Sequence, residues 1–249
     1  MSSDARAKSR ASSASERNLA EKVTSQIREW ILNGTYRPGE KLPPERRLAS
    51  LLGVNRGSLR LALKKLEQFG LLQSRQGDGT RVRDLAETAG IELLPFLFRT
   101  ALSRQPEMLR DILELRIMVC THLVRLAARR ARTWDHRRIQ AIIDQMEQVH
   151  DDPEALIRLD FDIYWEFARA GGSIVGQLLL NTIRGPFEVH AEPFVCMADD
   201  PVMVISAAHA IAEAVGAHEV VTAVELADEY LRAGSRRALD AAGLELMQD

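Results

Sequence analysis

The sequence predicts a mostly α-helical protein in two units, a small N-terminal unit of three helices and a β-hairpin and a larger all-α C-terminal unit. Apolar residues recur at three- and four-residue steps through most of the chain, which is the period of an α-helix. Two short extended runs separated by glycines interrupt this pattern near residue 76. The charge divides at the same place: residues 1–83 carry 17 Lys and Arg against 8 Asp and Glu, a net charge of +9, and the remainder carries 16 against 27, a net charge of −11.

The N-terminal segment, residues 1–15, is rich in Ser, Ala and Arg and has no periodicity, so we predict a disordered basic tail. We expect the first unit to span residues 16–84 and the second residues 85–249. A helix is predicted to begin at Ser15, where an apolar face starts, and to end at Asn33 and Gly34. The apolar face consists of Leu19, Val23, Ile27, Trp30 and Ile31.

Two further short helices follow a turn-rich connection. Pro44 can begin the second helix, because its missing N–H is not needed in a first turn, and this helix runs to about Leu52. A tight turn at Gly53 leads to Asn55, which is a good cap for a third helix that ends near Gly70. Two short helices joined in this way form a helix-turn-helix.

A β-hairpin is predicted next. The extended runs Leu71 to Arg75 and Thr80 to Arg83 flank Gln76, Gly77, Asp78 and Gly79, and the glycines supply the positive φ that a hairpin turn requires. A helix-turn-helix followed by such a hairpin is a winged helix, so we expect the N-terminal unit to bind double-stranded DNA.

The start of the third helix carries the predicted base-reading residues. In a helix-turn-helix the second helix enters the major groove with its first turn facing the base edges. Arg56 and Arg60 are four residues apart and share a face, and Arg can donate two parallel hydrogen bonds to guanine. Gly57 and Ser58 are small enough for close approach, and Ser58 can donate to a phosphate or a base.

Other residues of this unit are predicted to touch the DNA backbone or the minor groove. Arg46, on the preceding helix, can reach the groove edge or a phosphate, and the wing tip, Gln76 and Gly77, can enter the minor groove. For the lysines, and for Arg47, a solvated helix face is an equally good interpretation. The predicted phosphate contacts are Lys64, Lys65, Arg75 and Arg81.

Residues 38–82, PGEKLPPERRLASLLGVNRGSLRLALKKLEQFGLLQSRQGDGTRV, resemble the winged-helix motif of the GntR family nearly element for element. The resemblance extends over about residues 16–83. It implies that Arg46, Arg56 and Arg60 contact DNA, the same arginines that the helix pattern selects.

From Leu85 onward the sequence shows only helical periodicity, which predicts an all-α bundle. Residues 159–187, LDFDIYWEFARAGGSIVGQLLLNTIRGPF, and residues 87–97, ETAGIELLPFL, resemble the effector-binding domain of the FadR subgroup of the same family. The predicted helices are 86–102, 106–132, 135–150, 153–171, 174–196, 200–216 and 218–246.

Many members of this subgroup hold a divalent metal through an Asp, a His four residues later and two further His. Here Asp160 is followed by Tyr164, and the later positions are Ala208 and Tyr230. His209 is one residue off, and one step along a helix turns a side chain by about 100°. The sequence therefore predicts neither a metal nor another cofactor.

Without a metal, the resemblance implies an aromatic and apolar pocket with few polar groups, which suits an acyl-CoA or a fatty acid. Arg116 could supply a positive charge for an anionic group, and Tyr164, Trp165 and Tyr230 could line the cavity, although aromatic residues at helical spacing also form ordinary cores. A small carboxylate or sugar acid held with a divalent metal is the alternative.

We expect a cytoplasmic, homodimeric transcription regulator with no membrane association, whose affinity for a DNA operator is controlled by a small-molecule effector. An enzyme would need convergent titratable groups, and none is evident: Asp160 and Asp162 point to different helix faces, and the six His are scattered. Cys120 and Cys196 have no partners at metal-binding spacing. An architectural DNA-coating protein is a further alternative, but it has little need for a large acidic helical domain.

Overall fold

The computed structural model describes residues 3–97, 106–189 and 191–244. The chain divides into two compact units, Met1–Leu93 and Leu94–Asp249. The division falls after the predicted residue 84 because the segment that follows the hairpin is tied to the first unit. Thr88 Oγ1 donates a hydrogen bond of 2.7 Å to the carbonyl of Gly70.

The first unit contains the three helices and the hairpin that the sequence predicts. Helix α1 packs across α3, and both contribute to a small apolar core. The elements are α1 (Ser3–Leu32), α2 (Glu45–Leu52), α3 (Arg56–Gln68), β1 (Leu72–Arg75), β2 (Gly79–Val82), α4 (Leu85–Thr88) and a 3-10 turn (Ile91–Leu93). The buried core side chains include Val23, Ile27, Leu48, Leu59, Leu63, Leu66 and Leu71.

Helix α1 begins earlier than predicted. The structure continues its helical backbone back to Ser3, where we predicted an unordered tail and a helix start at Ser15. No Pro or Gly precedes Gly34, and alanines and charged residues with high helix propensity are frequent in the first turns, so helix formation can extend in this direction.

The hairpin is antiparallel, with Leu72 opposite Val82 and Arg75 opposite Gly79. The connection before α2 adds to it as a third short extended segment. The amides of Gly39 and Leu42 donate to the carbonyls of Val82 and Thr80, each over 2.9 Å. Backbone pairing on both sides of β2 therefore fixes the direction of the wing.

The second unit is a helical bundle, as predicted. Helix α5 packs against α7 and against the last helix, and the largest fully buried side chains of this unit include Leu113, Leu123, Ile139, Ile143, Met146 and Phe167. Its elements are α5 (Pro106–Arg130), α6 (Thr133–Gln148), α7 (Pro153–Ala170), α8 (Ile174–Val189), a 3-10 helix (Glu192–Ala198), α9 (Pro201–Gly216) and α10 (Val220–Ala241). Within the described ranges, none of the helices combines the length and apolar composition needed to cross a membrane.

Two of the predicted helices are wrong in their extent. The predicted helix 86–102 is interrupted, because Ala89 is extended and Gly90 follows it; residues 98–102 lie outside the described residues. The predicted helix 174–196 ends at Val189 and is followed by a separate 3-10 helix with Pro193 in its first turn. Proline has no amide hydrogen and does not continue an α-helix.

Candidate DNA-reading surface and effector cavity

The beginning of α3 is held in place by its cap. The Asn55 side chain accepts a hydrogen bond of 2.8 Å from the Ser58 amide, which satisfies one of the unpaired donors of the first turn. Arg56 and Gly57 are exposed in this turn, and Arg46 is exposed on α2. The cap thus fixes the backbone from which two of the predicted contacts project.

Arg60 is exposed but has a partner. Its Nε donates to Glu45 Oε2 across 2.9 Å, which joins the recognition helix to the first turn of α2. Glu45 was not among the predicted site residues, since it lies 15 positions before Arg60. Glu45 immediately precedes Arg46 in the motif, and this proximity was the available signal.

Ser58 is fully buried, with an exposed fraction of 0%. The prediction that its hydroxyl donates to DNA is therefore wrong. Two helical steps from Arg56 turn a side chain by about 200°, so Ser58 faces the interior when Arg56 faces outward. Its small size allows α3 to pack closely onto the unit.

Two of the predicted phosphate contacts are used within the protein. Lys65 Nζ lies 2.6 Å from a carboxylate oxygen of Glu21 and ties α3 to α1. Arg81 Nε donates to Asp78 over 2.8 Å, and its Nη1 donates over 2.8 Å to the carbonyl of Gly39. Hydrogen bonds from Arg81 and Lys41 hold the pKa of the Asp78 carboxyl well below its usual value. Arg81 and Lys65 thus stabilise the unit, and because both side chains keep exposed surface their phosphate contacts stay predictions.

The wing tip is open. Gly77 and Gly79 have φ values of +82° and +88°, in the left-handed region, and no atom lies within 4 Å of a side chain built at either position. Gln76 and Arg75 are exposed beside them. The predicted contacts that remain exposed in this unit are Arg46, Arg56, Gly57, Arg60, Lys64, Arg75, Gln76 and Gly77.

The second unit contains a cavity of about 90 Å³ between α5, α7 and α8. Its walls are mainly aliphatic and aromatic, and they include Ile112, Leu113, Ile157, Leu180, Ile183 and Phe194. Among the described residues that line it, four are polar or titratable: Arg116, Cys120, Asp160 and Tyr164. A cavity of this composition binds an apolar body and orients it through a few polar atoms.

Asp160 is the centre of the polar end. Arg116 Nη2 donates to Asp160 Oδ2 at 3.3 Å, and the Tyr230 hydroxyl donates to Oδ1 at 2.7 Å. Burial raises the pKa of the Asp160 carboxyl above its usual value, although Arg116 and Tyr230 act in the opposite direction. Burial also raises the pKa of Tyr164 and Tyr230 well above that of a free tyrosine, so both hydroxyls keep their protons.

Two polar atoms at this end lack a partner among the described residues. The Tyr164 hydroxyl and Arg116 Nη1 are both buried and make no hydrogen bond. Buried polar atoms are nearly always paired, because an unpaired one forfeits its interaction with water. Such atoms beside a cavity indicate where a ligand oxygen would bind.

The four predicted effector residues do not all reach the cavity. Arg116 and Tyr164 line it, and Tyr230 contributes only through its hydrogen bond to Asp160. The prediction that Trp165 lines the cavity is wrong: its Nε1 donates over 2.8 Å to Asn181. Trp165 is one helical step from Tyr164 and therefore points about 100° away. Cys120, which was not predicted to line the cavity, does line it.

The positions that correspond to metal ligands in related proteins do not form such a site here. Asp160 is engaged by Arg116 and Tyr230, and His209 Nε2 lies 2.9 Å from Glu147 on α6. In the part of the chain that the structure describes, no group of three or more His, Cys, Asp or Glu side chains could hold a metal ion.

Comparison with known proteins assigns both units. Residues 19–82 match the model for bacterial regulatory proteins of the gntR family, and residues 83–192 match the FadR C-terminal domain. The chain is 39% identical over 173 residues to the HTH-type transcriptional regulator Mce2R of Mycobacterium tuberculosis, covering 69% of this chain and 71% of that protein. It is 34% identical over 160 residues to a fatty acid metabolism regulator protein of Yersinia enterocolitica, covering 64% and 65%.

Among solved structures, the fold is similar to that of Lar, which controls the expression of the Listeria monocytogenes agr system. The TM-score is 0.55 at 17% identity, and the match covers 88% of this chain and 95% of that one. At this identity the likeness concerns the fold alone.

Proposed function

The chain belongs to the GntR family of bacterial regulatory proteins, with a C-terminal domain of the FadR type, and we propose that it binds its operator as a homodimer under the control of a small-molecule effector that carries an apolar chain. It is a DNA-binding transcription regulator and not an enzyme. Such a regulator works in the cytoplasm, where it meets the chromosome.

The exposed beginning of α3 is the observation that supports DNA recognition by this helix. Arg56 and Arg60 project from a helix start that Asn55 caps, and the open wing tip follows in the same unit. A guanidinium in the major groove can donate to both O6 and N7 of guanine. We assign base reading to Arg56 and Arg60, phosphate contact to Arg46 and Arg75, and minor-groove contact to the wing tip.

The homodimer follows from the size of this surface. One winged helix offers few base contacts, and specific binding to DNA requires a larger interface than a single small module provides. Two copies on a palindromic site supply the remainder, with half-sites separated by about one helical turn or a multiple of it.

The cavity of the second unit supports the effector. Its apolar lining suits an acyl chain, and a relative is named a fatty acid metabolism regulator, so an acyl-CoA or a fatty acid is the candidate. The cavity volume of about 90 Å³ is smaller than that of most ligand sites, which are about 300–1,000 Å³. A long chain therefore binds only if the walls separate, and a ligand that selects such an expanded state shifts the population of the protein.

The proposal is tested by footprinting on DNA fragments selected from random sequence by the full-length protein. We expect a short protected palindrome, with two chains per site measured by sedimentation. Uniform protection of any fragment would instead indicate an architectural protein. Only one chain per site at micromolar concentration would contradict the homodimer.

A further inference from the structure

We propose that the cavity of the C-terminal unit recognises an apolar molecule through one uncharged oxygen, such as a ketone, ester or thioester carbonyl, and that it discriminates against a free carboxylate. This inference rests on the proposed function, because it names the chemical class of the effector.

Two hydrogen-bond donors at the polar end of the cavity have no partner among the described residues. Tyr164 is 3% exposed and lines the cavity, and its hydroxyl makes no hydrogen bond among the described residues. Arg116 Nη1 is buried in the same way, while Nη2 of the same guanidinium is held by Asp160. A ligand oxygen that accepts from both donors gives each the partner it lacks.

The charges at the polar end of the cavity are already balanced within the protein. Asp160 already neutralises Arg116, and the Tyr230 hydroxyl satisfies the other carboxylate oxygen. The Cys120 thiol stays protonated, since burial raises its pKa to about 12. The polar end therefore has donors to offer and no net positive charge.

A carboxylate at this position would add an uncompensated negative charge beside Asp160. Charges are unfavourable in an apolar interior unless a counter-charge is available, and Arg116, the one cation among the described residues that line this cavity, is already paired with Asp160. A carbonyl oxygen accepts the same hydrogen bonds without bringing a charge. The geometry therefore favours the neutral group over the acid of the same length.

The size of the cavity limits the length of the molecule that it can hold. Apart from its polar end the cavity is lined by aliphatic and aromatic side chains, and its volume of about 90 Å³ favours a short body. Six-carbon probes therefore suit the test: 2-hexanone, hexane and hexanoate share a chain length and differ in the oxygen group.

Each probe is titrated into the full-length protein by calorimetry at neutral pH. We expect 2-hexanone to bind about tenfold or more tightly than hexane, because hydrogen bonds that involve a charged donor contribute at this level. Hexanoate should bind at least about tenfold more weakly than 2-hexanone. Equal affinity for hexane and 2-hexanone, tighter binding of hexanoate, or no binding of any probe would overturn the proposal.

Hexanoyl-CoA, added in parallel, separates two sources of the carbonyl. If hexanoyl-CoA binds and its binding depends on Tyr164, the effector is a thioester. If 2-hexanone binds and hexanoyl-CoA does not, the effector is a smaller neutral molecule. Both results support recognition of an uncharged oxygen.

Substitutions identify the recognising atoms. Tyr164→Phe removes only the hydroxyl and should reduce the preference for 2-hexanone over hexane by about threefold or more. Trp165→Phe is the matched control, because this neighbouring ring lies outside the cavity, and it should leave the preference unchanged. The same loss in both variants would contradict the role of Tyr164.

Asp160→Asn tests the charge argument independently. It removes the carboxylate that neutralises Arg116, so affinity for hexanoate relative to 2-hexanone should rise by about tenfold or more. An unchanged ratio in the folded variant would contradict the role of Asp160, and if this variant does not fold, Tyr164→Phe and the probe series decide.

Should hexanoate bind most tightly and release operator DNA, the inference fails while the regulatory function stands. Failure of the ligand-free protein to recognise an operator would instead remove the proposed function.

Discussion

The Arg60 guanidinium donates to the Glu45 carboxylate across 2.9 Å, so a predicted base-reading side chain is already paired before DNA arrives. The Arg60 side chain is largely exposed and that of Glu45 partly exposed, and a surface ion pair of this kind contributes at most about 1 kcal/mol. The pair is therefore weak enough to exchange for a guanine. Until it does, it limits the directions in which Arg60 can point.

Glu45→Gln should raise the affinity for random DNA at low salt, because the change removes a negative charge beside Arg60 and frees its guanidinium. The ratio of operator to random binding should fall, since a free guanidinium also contacts phosphates, which carry no sequence information. Fluorescence anisotropy with both DNAs at several salt concentrations measures this. An unchanged ratio would show that Glu45 does not affect Arg60 on DNA.

Gly70→Ala should destabilise the N-terminal unit strongly. Gly70 has a φ of +71°, and an added Cβ would lie 2.0 Å from the carbonyl oxygen of Thr88. Gly34→Ala is the control, since Gly34 has a φ of +76° but open space around it, so it should lose only the about 1–2 kcal/mol of a left-handed alanine. Urea unfolding compares the two variants, and equal losses would contradict the predicted clash.

Asp160 should make stability depend on pH. Burial raises the pKa of its carboxyl in the folded protein above the ordinary value of 3.8, so this group stabilises the fold fully below that value and less as pH rises through the folded pKa. The unfolding free energy of the wild type, compared with that of Asp160→Asn, should therefore fall as pH rises above about 4. If the unfolding free energy of the wild type instead rises relative to that of the variant, the pairing with Arg116 outweighs the effect of burial on the pKa of Asp160.

Cys120 should be inert in the folded protein. Burial raises its thiol pKa to about 12, and the thiolate is the reactive form. Cys196 is partly exposed, so iodoacetamide should label it first although burial also raises its pKa. Mass spectrometry locates the label, with urea-unfolded protein as the control that exposes both thiols. Labelling of Cys120 before Cys196 in the native protein would contradict the described burial.

The sequence predicts the architecture well because helix periodicity, the Asn55 cap and the hairpin glycines are local signals. It does not predict which polar residues pair across elements, since Lys65 with Glu21 and Arg81 with Gly39 depend on packing between distant segments. Ser58 and Trp165 were misplaced for a different reason. Ser58 lies two helical steps from Arg56 and Trp165 one step from Tyr164, so neither faces the same way as that residue, and the rotation of about 100° per residue was the available signal.

The DNA-reading role of α3 is tested most directly by operator affinity in three variants. We expect Arg56→Ala and Arg60→Ala each to weaken operator binding by about 1–3 kcal/mol and to relax base preference. Lys65→Ala, which loses an ion pair to Glu21, should change operator affinity little and lower stability by less than about 1 kcal/mol. Equal losses on operator and random DNA for Arg56→Ala and Arg60→Ala would contradict the account.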